Sequence, residues 1–231
     1  MAALLATTTA PMAFPPMITP DLAADRLRLA QLLSPAFPIG TFAHSQGLES
    51  AIAEGLVPDG ASLANWIGLV LSHGSGRMDA TFLALARQGK VPLKDLTDLF
   101  HAMTATAERA QESRELGAGF TSLLSAIGAI QPPLPYAIAV GHATRDLALP
   151  AAEVIGLFLQ SLASQLISVA VRFLPMGQSQ GQHILAALTP QIARIAGSLA
   201  TATTSDLYSF TPGAEMASMR HETQDVRIFR T

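Results

Sequence analysis

Apolar residues recur every three or four positions through most of the chain, which is the spacing of α-helices that pack on one face. No stretch alternates apolar and polar residues as a strand does. We therefore predict an all-α, single-domain bundle of about eight to ten helices over residues 21–204. The clearest apolar run comprises Leu63, Trp66, Ile67, Val70 and Leu71. The pattern breaks at residues 73–76 (HGSG) and resumes over residues 78–88.

Both ends of the chain depart from this pattern. Residues 1–20 contain four prolines and lack the basic start of a signal peptide, so we expect a disordered N-terminal tail. Residues 205–231 mix arginines with Val226, Ile228 and Phe229, which suits an extended C-terminal docking tail. Before it, a polar turn over residues 176–182 precedes two short predicted helices, residues 183–188 and 190–202.

Residues 34–49 (SPAFPIGTFAHSQGLE) interrupt the helical pattern near its start. Pro35 and Pro38 fix two φ angles and Gly40 is free to turn, so we predict an ordered loop between helices. We expect three apolar side chains to anchor this loop in the core: Phe37, Ile39 and Phe42.

Residues 108–115 carry an unusual concentration of charge, because charged residues make up only 13% of the chain. The helical spacing places Glu108, Glu112 and Glu115 on one face, with Arg109 and Arg114 beside them. This face is either a solvated surface with ion pairs inside the helix or a patch that recognises a partner.

Composition excludes several classes of partner. The net charge is −3 and no basic run is present, so we expect no nucleic acid. Residues 154–171 lack charge, but their polar residues recur at helical spacing, which favours a buried helix over a membrane span.

The chain has no cysteine, which agrees with a cytoplasmic location. Its low charge favours an oligomer or a standing partner.

Motifs of catalysis and metal binding are missing from the sequence. None of the six histidines pairs with another at a spacing of three or four, and Asp225 stands where a zinc helix starting at His221 needs its second histidine. No phosphate-binding loop and no nucleophile elbow occurs either. We therefore expect neither an enzyme nor a stably bound cofactor.

With these residues in view, the chain from about Leu27 onward resembles the UreF-type urease accessory proteins. The resemblance is carried, in order, by residues 33–49, by residues 108–117 (ERAQESRELG), by residues 178–182 (QSQGQ) and by residues 218–230 (SMRHETQDVRIFR). Ser179 stands where the family usually has threonine. Phe42 and His44 lie where many relatives carry an aromatic residue, so no tyrosine role is transferred.

The resemblance implies a non-catalytic homodimer that acts in nickel insertion into apo-urease. Such proteins join UreD/UreH and recruit the GTPase UreG, and nickel passes between partners without being held. The docking residues for UreD/UreH would be Arg220, His221, Glu222, Arg227, Phe229 and Arg230. Partner-facing or gating residues would be His44, Ser45, Gln46 and Glu49. A possible recognition patch would comprise Glu108, Glu112, Arg114, Glu115, Gln178 and Gln182.

Two functions of other classes remain open from the residues alone. A helical metal-dependent hydrolase would use the face of Glu108, Glu112 and Glu115. A generic helical oligomerisation module would form dimers without selecting urease partners.

Overall fold

The computed structural model describes residues 21–231, and within that range the chain forms ten α-helices and two 3-10 helices with no strand. The predicted all-α class is confirmed, whereas the predicted N-terminal tail, residues 1–20, lies outside the described residues. The α-helices are α1 Leu22–Leu32, α2 Leu48–Ala53, α3 Gly60–His73, α4 Ser75–Gln88, α5 Leu93–Met103, α6 Ala107–Ala126, α7 Tyr136–Ala143, α8 Ala151–Ala170, α9 Gln178–Leu199 and α10 Pro212–His221. The 3-10 helices are Thr41–Ala43 and Thr204–Asp206.

Local sequence signals set the limits of α3 and α4. Asp59 and Ser62 form a reciprocal capping box at the start of α3, in which the Asp59 side chain accepts the Ser62 N–H at 2.8 Å. The predicted break falls at Gly74, between α3 and α4. Helix α4 then ends at Gly89, whose φ of 66° lies in the left-handed region that glycine adopts without strain.

Helix α4 lies at the centre of the core. Its residues 78–86 are all buried, and it packs against α3, α5, α7, α8 and α9. Phe82 on α4 meets Phe100 on α5 edge to face, with 5.1 Å between ring centroids. Helix α2 packs against α8 and helix α6 packs against α7, and both α8 and α7 contact α4. The core thus positions α2 and α6, the two elements that carry the candidate site.

Helix α9 contradicts the prediction of a turn followed by two short helices. It is one helix of 22 residues with Pro190 inside it. An interior proline costs about 3 kcal/mol, but each fully buried Ile or Leu side chain returns about 1.5–3 kcal/mol. The buried stripe that packs α9 along α8 and α3 comprises Ile184, Leu188, Ile192, Ile195 and Leu199. Packing therefore outweighs the proline, and the helix continues.

Helix α8 contains the long uncharged stretch noted in the sequence. In length and composition it is the one helix of residues 21–231 able to cross a membrane, and half of its apolar window is buried in the protein. Its polar stripe meets the rest of the chain: Ser161 donates to the Leu33 carbonyl at 3.2 Å, and Gln165 donates to the His44 carbonyl at 3.1 Å. These contacts agree with the predicted buried helix.

The loop of residues 34–49 is ordered largely as predicted. Phe37 is buried and meets Phe120 edge to face at 5.7 Å, and Gly40 turns the chain with a φ of 85°. The prediction for Phe42 is wrong, because its side chain is 67% exposed. The 3-10 helix Thr41–Ala43 carries it outward to a surface cavity that Phe229 also lines.

Candidate functional site

The last ten residues, 222–231, fold back onto the chain and are called here the terminal segment. Helix α10 leads into this segment and packs against α2 and α6. Gly47 permits the close approach, because a Cβ atom there would collide with the backbone of Ser218 in α10. Its φ of 77° also favours glycine.

Glu49 of α2 anchors the terminal segment through its backbone. The side chain is buried, and its carboxylate accepts the N–H of Ile228 at 2.8 Å and that of Phe229 at 2.9 Å. Oε2 of the same carboxylate lies 3.1 Å from Nε2 of His221. One buried carboxylate thus joins three donors from the C-terminal part of the chain.

Glu108 of α6 lies on the other side of the His221 ring. Nδ1 of His221 is 2.9 Å from both carboxylate oxygens, and Arg227 approaches one of them at 3.2 Å. His221 itself is fully buried. Burial raises the pKa of Glu108, while the hydrogen bond from His221 and the charges of His221 and Arg227 act against this rise.

Backbone contacts and aromatic packing complete the docking of the terminal segment. The Arg230 N–H donates to the Ala43 carbonyl at 2.8 Å, and the Ser45 N–H donates to the Thr231 carbonyl. His44 Nδ1 lies 2.8 Å from the Thr231 hydroxyl, and burial lowers the pKa of His44. Phe229 is buried, and the Arg172 guanidinium lies 5.2 Å from its ring centroid.

A second buried cluster lies directly beneath this docking site. Arg109 pairs with Asp79 at 2.8 Å and with Glu112 on its own helix. Gln46 donates to Glu112 at 3.0 Å and accepts from Ser75 at 3.1 Å. Gln46 has a φ of 54°, and these two side-chain bonds hold it in a backbone conformation that non-glycine residues rarely adopt. Despite Arg109, burial raises the pKa of Asp79 to about 6.

The structure brings most of the predicted site residues together and separates a few. Glu108 and Glu112 are buried, which rules out the solvated face for these two residues, and Glu115 pairs with Arg230 at 3.1 Å. The residues of the predicted gate are all buried beneath the terminal segment: His44, Ser45, Gln46 and Glu49. The predicted residues that lie on the surface outside this arrangement are Arg114, Gln178 and Gln182, and Glu222 is exposed at the start of the terminal segment.

Asp79, the partner of Arg109, was not predicted from the sequence. The signal for it was present, since Asp79 is the one acidic residue of α4 and lies among apolar residues there. An acidic residue on a helix that is buried on all sides requires a cation from elsewhere.

Comparison with known proteins identifies the family. The family model described as UreF matches residues 57–189. The urease accessory protein UreF of Cereibacter sphaeroides (strain ATCC 17029 / ATH 2.4.9) is 49% identical over 211 residues, which cover 91% of this chain and 100% of the relative. This chain belongs to the UreF family. UreF of Paracoccus denitrificans is 48% identical over 93% of the chain and 99% of the relative, and UreF of Rhizobium etli is 44% identical over 89% and 96%.

Membership of the UreF family makes this chain a urease accessory protein and not an enzyme. The side chains of the candidate site bind one another. Each carboxylate of the acidic face has donors from its own chain: His221 and Arg227 for Glu108, Arg109 and Gln46 for Glu112, and Arg230 for Glu115. Within residues 21–231, no three acidic or histidine side chains are grouped to hold a metal ion. The geometry is that of a structural clamp.

Changing Gly47 to alanine tests the contact between α10 and α2. We expect a loss of about 2–3 kcal/mol in the free energy of unfolding, since strain at a positive φ adds to the collision with Ser218. Gly55→Ala is the matched control: its φ is 72°, but a Cβ atom there meets nothing within 4 Å. Urea denaturation of both variants isolates the packing contribution. Equal losses would show that α10 does not need this close approach.

Proposed function

We propose that this UreF-family protein links UreD/UreH to the GTPase UreG and supports GTP-dependent nickel insertion into apo-urease. The observation that supports it best is the outer face of the terminal segment. Val226 is 78% exposed and Ile228 is 65% exposed, and the side chains of Arg227 and Arg230 flank them with exposures of 39% and 63%. Apolar anchors beside arginines are what a protein partner recognises.

The buried residues of the predicted docking tail take a supporting role in this proposal. His221 and Phe229 contact their own chain, so they hold the segment in place while Val226 and Ile228 meet UreD/UreH. A segment already ordered before binding loses less conformational entropy when the partner arrives. Glu49 then influences partners through the position of the segment.

The remaining parts of the proposal concern assembly and location. We propose a cytoplasmic homodimer that passes nickel between partners without holding it stably. The low content of charge supports a protein that works inside an assembly. So do further exposed apolar side chains outside the terminal segment, which include Leu69, Phe210, Met216 and Met219.

The outer face is tested by the double variant Val226→Ser, Ile228→Ser. Both side chains are exposed and neither substitution removes a backbone hydrogen bond, so we expect the fold and the docked segment to remain. Affinity for UreD/UreH should fall at least about tenfold, because two apolar anchors of an interface are lost. Copurification and titration of the purified proteins measure this loss.

Ile130→Ser is the control, since Ile130 is 91% exposed in the loop after α6, outside the terminal segment. It should leave the affinity unchanged. Deleting residues 219–231 is a poorer test, because it also leaves Glu49 and Glu108 buried without His221. Wild-type affinity for UreD/UreH in the double variant would contradict the proposal.

A further inference from the structure

His221 is held between two acidic side chains from different helices. Its ring is fully buried, with Nε2 3.1 Å from a Glu49 oxygen and Nδ1 2.9 Å from both Glu108 oxygens. Glu49 also accepts the backbone N–H groups of Ile228 and Phe229. The histidine therefore lies at the junction of α2, α6, α10 and the terminal segment.

These distances fix how many protons the cluster must contain. An ionised carboxylate only accepts hydrogen bonds, so a hydrogen must lie between each ring nitrogen and its oxygen. A neutral imidazole supplies one hydrogen, and two contacts require two. The closed arrangement therefore holds one proton more than neutral His221 with two ionised carboxylates. Without that proton, a nitrogen lone pair faces a carboxylate oxygen in a buried site, which is strongly unfavourable.

We propose that the terminal segment is a proton-dependent latch, which one proton shared among Glu49, His221 and Glu108 keeps closed and which opens when that proton is lost at higher pH. Opening would free the N–H groups of Ile228 and Phe229 and uncover the Phe229 ring. The latch rests on contacts within this chain and holds whether or not the segment binds UreD/UreH.

The charged groups around the latch favour keeping the proton. Glu49 from α2 and Glu108 from α6 face the ring directly, and Glu222 adds a further negative charge near Glu108. Arg227 is the cation that reaches Glu108, and its side chain is 39% exposed and partly screened by water. Arg220, on the outer side of α10, pairs with Glu54 at 2.8 Å. Burial raises the pKa of Glu108, which also favours retention of a proton within the cluster.

The sign of the pH effect follows from linkage. The closed state binds one more proton than the open state, so raising the pH shifts the equilibrium toward the open state. Once the open state no longer binds the proton, the closing constant falls tenfold for each pH unit. Protection of the Phe229 amide from hydrogen exchange reports this constant, after correction for the intrinsic pH dependence of exchange.

The variant Glu108→Gln tests whether the extra proton is needed when the contact between residue 108 and His221 is kept. A glutamine amide can donate to Nδ1 of a neutral His221 while its carbonyl accepts from Arg227, so both contacts form without the extra proton. Between pH 6 and 9, we expect protection of Phe229 to fall in the wild-type chain and to stay level in Glu108→Gln. Glu54→Gln weakens a surface ion pair in the same interface and should keep the wild-type slope.

Ring nitrogen shifts of His221 in ¹⁵N-labelled full-length protein provide a second measurement. We expect both nitrogens to be protonated at pH 6 in the wild-type chain, and one to lose its proton in step with the loss of Phe229 protection. This measurement tests whether His221 carries the extra proton even if the segment of the Glu108→Gln variant is open at every pH. The latch would be overturned if protection of the Phe229 amide did not change with pH in the wild-type chain, or if His221 were neutral at pH 6 while that amide was protected. It would also be overturned if the segment stayed docked in Glu108→Gln and the protection of Phe229 still fell with pH as in the wild type.

Discussion

Replacing Glu49 with alanine should detach the terminal segment and lower the free energy of unfolding by about 3 kcal/mol. The substitution removes the acceptor of three donors, of which the Phe229 N–H and Nε2 of His221 are buried and the Ile228 N–H is partly buried. Glu49 is only 3% exposed, so its donors lie away from bulk water while the segment stays docked. Detachment is then the less costly outcome.

Urea denaturation measures the change in stability of Glu49→Ala, and Glu54→Ala is its matched control. Glu54 lies just after α2 and pairs with Arg220 at the surface, where such a pair is worth about 1 kcal/mol or less. A loss in Glu49→Ala no larger than that in Glu54→Ala would mean that Glu49 does not anchor the segment.

Replacing Arg109 with methionine should produce an equal or larger loss, about 3–5 kcal/mol at pH 8. Arg109 is the cation that pairs with both Asp79 and Glu112, and all three side chains are buried. Removing it leaves two carboxylates close together in the core, where neither is solvated. Urea denaturation again measures the effect, with Arg114→Met as control because Arg114 is exposed on the same helix, α6.

The loss in Arg109→Met should shrink as the pH falls from 8 to 5. Burial already raises the pKa of Asp79 to about 6 with Arg109 present. A raised carboxyl pKa means that the folded state binds more protons than the unfolded state, so lower pH stabilises the fold through this group. In the variant, protonation also relieves the repulsion from Glu112. A loss independent of pH would show that Asp79 is not the group in question.

Much of the fold follows from local sequence signals. The period of the apolar residues predicted α3 and α4, and Gly74 and Gly89 marked their ends. Local signals were insufficient at α9, where Pro190 argued for a break and only packing against α8 and α3 shows why the helix continues. The prediction for Phe42 failed for a different reason, because the turn at Gly40 and the 3-10 helix after it direct this side chain outward.

The candidate site was predictable in its parts but not in its assembly. Glu49, the acidic face of α6 and the terminal segment were each singled out from the sequence. Their convergence was not, because the partners of Glu108 lie more than 110 residues away in the chain. A helix with several charges looks solvated when its counter-ions are distant in sequence, and its burial becomes evident only when those counter-ions are in place.

Hydrogen exchange at Ile228 and Phe229 in the isolated full-length chain shows directly whether the terminal segment docks on its own chain. We expect both amides to be strongly protected near pH 6, because each donates to the buried carboxylate of Glu49. Exchange of both amides at the rates of an unstructured peptide would contradict this expectation, since the terminal segment would then not be docked on its own chain.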